Sequence, residues 1–121
     1  QTFDLPGRGA DFEGDLTQIE PLRDAMRGCE VVVHLAAASD EAPFIESLVS
    51  PNVIGVYNVF EAARLENVRR VVFASTVQTV GFGLRERDTP YETTEPVRPN
   101  SLYGATKVMA EAMGRFYHDK H

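Results

Sequence analysis

The chain has 121 residues, with 12 Lys and Arg against 18 Asp and Glu and a formal net charge of −6. An acidic surplus has the wrong sign for gripping a phosphate backbone, so no nucleic-acid partner is expected. The hydrophobic fraction of 43% suits a single globular domain over residues 1–121.

One cysteine, Cys29, leaves no disulfide framework and reads as a small buried hydrophobe. No apolar run approaches the roughly 18 residues of a membrane span. A soluble, cytoplasmic protein without a membrane partner is the expectation.

Gln1-Thr2-Phe3-Asp4 reads as the end of a strand, and Leu5-Pro6-Gly7-Arg8-Gly9 is turn chemistry. Gly7 and Gly9 do not make a phosphate loop, because no long strand precedes them and no third glycine opens a helix. Residues 11–16 read as a short strand and turn. Thr17-Gln18-Ile19-Glu20 has capping-box spacing. Ile19, Leu22, Ala25 and Met26 then share one helix face, and Gly28 is a natural stop.

Residues 31–35, Val-Val-Val-His-Leu, are apolar almost throughout, which predicts a parallel strand buried on both faces. A histidine at a strand end, as His34 is, is more often structural than catalytic. A loop over residues 38–44 leads into a short helical segment, and Ser50-Pro51 then gives a helix start, with Ser as cap. Val53, Val56, Tyr57, Phe60 and Ala63 make its buried stripe, and Asn67 ends it in a left-handed turn.

A second buried strand over residues 70–75 follows, closing on the hydroxyls Ser75 and Thr76. Strand, helix, strand predicts a right-handed parallel crossover. Residues 79–98 read as a loop where substrate enters, with Arg85-Glu86-Arg87-Asp88 as solvated surface. The last helix is capped by Asn100 or Ser101, and Leu102, Ala105, Met109, Ala112, Met113 and Phe116 form its apolar face. His118, Asp119 and His121 have no second cluster to join, so they read as a frayed tail and no metal is expected.

Tyr103-Gly104-Ala105-Thr106-Lys107 places a phenol and an ammonium one turn apart on one helix face. An ordinary phenol, with a pKa near ~10, is too weakly acidic to serve as a base at neutral pH. A neighbouring cation stabilises the phenolate and makes such a base accessible.

These elements, in this order, resemble the extended short-chain dehydrogenase/reductase family of NAD-dependent epimerases and dehydratases. The resemblance rests on Val31-Val32-Val33-His34-Leu35-Ala36-Ala37, Asn52-Val53-Ile54-Gly55, Val71-Val72-Phe73-Ala74-Ser75-Thr76 and the Tyr103/Lys107 pair. It covers nearly the whole chain and implies an α/β, Rossmann-like parallel sheet with flanking helices. The implied reaction is hydride transfer between a sugar carbinol carbon and NAD. Tyr103 is then the acid/base, Lys107 its activator and a nicotinamide-ribose ligand, and Thr76 the group that hydrogen-bonds the substrate oxygen.

Ser75 is the neighbour that could replace Thr76 if the register shifts by one. Asp4 is implied to hold the adenosine ribose and to disfavour a 2′-phosphate, so NAD is expected over NADP. Asp15 is implied to lie near the adenine, with helix capping as its alternative. Leu35, Ala36 and Ala37 let a flat cofactor approach the backbone, and Asn52 is implied to be structural or to hold a water.

The run from His34 to Phe44 resembles the hexuronate dehydrogenase branch, in which Ser39 contacts the sugar. Val77-Gln78 departs from that branch's Asn-His. The substrate therefore stays open among sugars, sugar acids and nucleotide sugars, and homo-oligomerisation stays open too. The alternative is a dinucleotide-sensing domain of the same fold without turnover.

The resemblance also implies that the first βα unit, with its glycine-rich loop, and the C-terminal substrate region are missing, so the chain is expected to be a fragment. The absent strand is central in the usual order 3-2-1-4-5-6, which predicts an open slot in the sheet and very weak NAD binding by this chain alone.

Overall fold

The computed structural model describes residues 1–121. Four short strands form two separate parallel pairs: β1 (Phe3–Asp4) with β2 (Phe12–Glu13), and β3 (Val31–His34) with β4 (Arg70–Phe73). In the second pair Val31 lies opposite Arg70 and His34 opposite Phe73. A cavity of about 1090 Å³ lies between the pairs, with Phe3 and Asp4 on one wall and Val31, Val33 and Leu35 on the other. This is the expected slot: with no strand between β1 and β3, each pair keeps a free edge.

Four α-helices accompany the strands: α1 (Ile19–Met26), α2 (Val56–Leu65), α3 (Gly81–Arg85) and α4 (Leu102–Lys120). None is long and apolar enough to cross a membrane. Leu22 and Met26 of α1 pack against Val59, Ala62 and Ala63 of α2, with Val32 and Val71 beneath them. Val56 and Phe60 of α2 meet Ala110 of α4 above Val71 and Phe73.

The helices therefore cover one face of the β3/β4 pair, and the expected burial on both faces does not occur. Side chains alternate along a strand. Val32 and Val71 point to the helices, whereas Val31, Val33 and Val72 stay exposed, Val33 at 59%.

The second helix does not start at Ser50. A helical path begins at Phe44–Leu48, runs through Val49 and continues over Ser50–Gly55 into α2, with both early segments in wide π-type turns. Pro51 has no N–H to donate and its ring crowds the preceding turn, and a widened turn accommodates both. Val56, Phe60 and Ala63 of the expected stripe are buried, while Tyr57 is exposed. The stripe is wider than expected: Asn52, Gly55, Val59 and Ala62 also face inward. A polar Asn and a bare Gly among them hid that part from a reading by hydrophobicity.

The capping box does not form either. Thr17 turns back to donate its N–H and its hydroxyl to Asp15 Oδ1, at 2.8 and 2.7 Å, and Gln18 precedes α1 without a side-chain cap. Ser101 does cap α4, its Oγ accepting the Gly104 N–H at 2.8 Å.

The face of α4 turned inward carries Gly104, Thr106, Lys107 and Ala110. Leu102 and Phe116, from the expected apolar face, remain 47% and 51% exposed. Gly104 permits this rotation: a Cβ there would lie 2.6 Å from the Gln78 carbonyl oxygen.

The charged loop is more ordered than a solvated run. Arg87 is ion-paired with Glu95 and lies 5.1 Å over the Tyr91 ring, and Glu86 pairs with Arg98. The run pairs with residues eight to twelve positions on, a separation that no local charge pattern reveals.

Candidate active site

Lys107 is the only lysine or arginine in the core, at 3% exposure. Helix α4 brings its Nζ to the end of β4, where it donates to the Ala74 carbonyl at 2.8 Å. The same Nζ lies 4.5 Å over the Phe73 ring and 5.6 Å from the centre of the Tyr103 ring. Burial lowers the Lys107 pKa from its ordinary value. Half-buried Tyr103, one turn earlier, thus has a cation held beside it by a backbone acceptor and an aromatic face.

His34 completes the inner wall at 5% exposure, its ring 5.7 Å from that of Phe73 and its Nε2 without a hydrogen-bond partner. Burial, and then the Lys107 charge, push its pKa down to about 4. An imidazole that is harder to protonate folded than unfolded stabilises the fold above the unfolded value of about 6.5. That contribution, about 3 kcal/mol, is expected to disappear as pH falls from about 6.5 to about 4. Urea titrations of the protein and of His34→Gln across that window should differ in pH slope. Parallel slopes would assign the acid loss elsewhere. Glu61, lowered to about 2 chiefly by its hydrogen bond from Arg64, loses its contribution as pH falls from about 4.5 to about 2, so it overlaps only the acid end of the window.

The two neighbouring hydroxyls separate. Thr76 caps the short turn Val77–Thr79, its Oγ1 accepting the Gln78 N–H at 3.3 Å. Ser75 donates to the Glu111 carboxylate, in a groove beside β4 and α4. Ser39 is exposed in the loop after β3, next to Ala38, whose N–H and C=O are both bound by Asn52 at 2.9 Å. Asp4, Asp15, Leu35, Ala36 and Ala37 all line the slot between the strand pairs. Asp4 Oδ1 accepts the Leu5 N–H at 2.7 Å. The geometry thus has two parts: the slot wall, and the Tyr103/Lys107 cluster joined to it through His34.

Gln78 escaped the reading of the sequence as a site residue. It touches Thr76, Ser101 and Asp40, and the signals were its place two residues after Thr76 and the departure of Val77-Gln78 from the Asn-His of the resembled branch.

Residues 5–121 match the NAD dependent epimerase/dehydratase family. The chain belongs to that family. Among its relatives, the uronate dehydrogenase of Agrobacterium fabrum is 38% identical over 112 residues, covering 88% of this chain and 39% of that protein. The glucuronic acid dehydrogenase structure from Chromohalobacter salexigens superposes with a TM-score of 0.87 at 34% identity, over 98% of this chain and 46% of the other. A variant of the Agrobacterium tumefaciens uronate dehydrogenase, solved in complex with NAD, matches with a TM-score of 0.75 at 33% identity, over 89% and 40% of the two chains.

The fold is therefore the α/β, Rossmann-like fold of these relatives over part of its extent, and this family member spans about two-fifths of their length.

Proposed function

We propose that this segment forms part of an NAD-dependent sugar oxidoreductase, with sugar acids as the favoured substrates. The observation that carries the reading is Lys107, a cation buried within the core and held beside the Tyr103 ring. NAD, when bound, supplies the carbon that accepts the hydride. Tyr103 takes the proton from the substrate hydroxyl as the carbinol is oxidised, and returns it in the reverse direction. Lys107 stabilises the phenolate and would bind the nicotinamide ribose of bound NAD. Thr76 orients the reacting oxygen and Ser39 contacts the sugar.

Asp4 and Asp15 suit the adenosine end of the cofactor, because both stand on the slot wall. Nothing in the chain provides a glycine-rich cradle for the pyrophosphate. The activity test therefore replaces the matching segment of the Agrobacterium fabrum uronate dehydrogenase with these 121 residues. NADH formation with glucuronate or galacturonate is the expected result. A folded graft that binds NAD yet reduces none with any sugar acid, aldose or nucleotide sugar would establish the sensing alternative instead.

In the same graft NADP is expected to bind at least about tenfold more weakly than NAD, since Asp4 sets a carboxylate against the 2′-phosphate. Calorimetry of Asp4→Asn should narrow the gap. Equal affinities in the unsubstituted graft would remove Asp4 from the ribose site.

A further inference from the structure

The side chain of Gln78 has two polar ends, and the structure uses both. Its Oε1 accepts the Ser101 hydroxyl and its Nε2 donates to Asp40 Oδ1 at 3.4 Å. The polarity is forced by the neighbours. Ser101 Oγ already accepts the Gly104 N–H, so its hydroxyl proton is free to donate. Asp40 as a carboxylate can only accept. A side-chain amide meets both demands at once, accepting through its oxygen and donating through its nitrogen.

What Gln78 joins are the two sides of the site. Asp40 adjoins Ser39 and has a left-handed backbone, φ 71°, a conformation that side-chain-bearing residues adopt at a cost. The next residue, Glu41, reaches across to accept the Leu102 N–H at 3.0 Å, at the head of the helix that carries Tyr103. Ser101 is that helix's cap. The Gln78 carbonyl also accepts the Asn100 N–H at 3.1 Å.

We propose that Gln78 is a positioning residue that pins the Ser39 loop to the head of α4, and so sets the separation between the sugar-contacting serine and Tyr103. The functional meaning of that separation rests on the oxidoreductase reading. The pinning itself is tested without turnover.

The experiment is NMR-detected amide exchange on the 121-residue chain, read at Leu102 and Gly104. Gln78→Glu keeps the acceptor for Ser101 and loses the donor to Asp40, placing two carboxylates together. Protection at Leu102 should fall about fivefold, the loss of one ordinary hydrogen bond, while protection at Gly104 holds. Adding Asp40→Asn to Gln78→Glu exchanges the amide and the carboxylate across the contact and should restore Leu102. Unchanged protection at Leu102 in Gln78→Glu, equal falls at Leu102 and Gly104, or failure of the exchanged pair to restore Leu102 would each overturn the proposal. Turnover in the grafted enzyme bears only on the oxidoreductase reading, so the two can fail separately.

Discussion

Tyr103→Phe in the grafted enzyme is expected to lower kcat by about 10²- to 10⁴-fold, the span typical of a lost general acid/base. Only the hydroxyl is removed, and no hydrogen bond of the folded chain depends on it. The aromatic ring beside Lys107 stays. Urea midpoints of the variant should therefore match the parent closely, which separates chemistry from folding. Steady-state NADH formation at saturating sugar reads the effect, and a kcat within tenfold of the parent would give the proton transfer to another group.

Asn52→Leu should cost the isolated chain about 2–3 kcal/mol, the lower end for two stranded groups because Ala38 is half-buried, yet a sizeable part of the roughly 5–15 kcal/mol that holds a whole domain. Asn52 is 1% exposed. Its Oδ1 accepts the Ala38 N–H and its Nδ2 donates to the Ala38 C=O, both at 2.9 Å, and Nδ2 also reaches Thr106 Oγ1 at 3.3 Å. One side chain thus stands in for a strand partner at the point where β3 has ended. Leucine has similar bulk and no polar atom, so both groups of Ala38 lose their partner together. Each stranded group costs about 1–3 kcal/mol. Urea denaturation reads the change, and a loss below 1 kcal/mol would mean that the loop finds other partners for Ala38.

These two residues differ in how visible they are from the sequence. Tyr103 and Lys107 are four apart on a helix with a serine cap, and helix geometry alone puts them on one face. Asn52 lies 14 residues from Ala38 and 54 from Thr106. A polar residue inside a buried stripe looks like a break in the stripe until the loop it serves is in place. The paired hydroxyls show the same limit: nothing local distinguishes Ser75 from Thr76, and what separates them in the fold is Glu111, 36 residues on, whose carboxylate accepts the Ser75 hydroxyl while Thr76 caps the turn that follows.

The sequence by itself determined the features that depend on near neighbours. The left-handed backbones at Gly28 and Asn67 are of this kind, as is a polar cap for α4 at Asn100 or Ser101. Backbone sterics and short-range periodicity act over a few residues, and the chain carries that information directly.

Tertiary structure decided which face of α4 turned inward. Hydrophobicity favoured Leu102, Met109 and Phe116, yet the helix buried Gly104, Lys107 and Ala110. Gly104 sits against the Gln78 backbone, Ala110 meets Val56 and Phe60, and Lys107 finds the Ala74 carbonyl and the Phe73 ring. Small residues allow close approach and the lysine is satisfied at both its apolar stem and its charged tip. That sum depends on surfaces from three distant segments, so no window of the α4 sequence contains it.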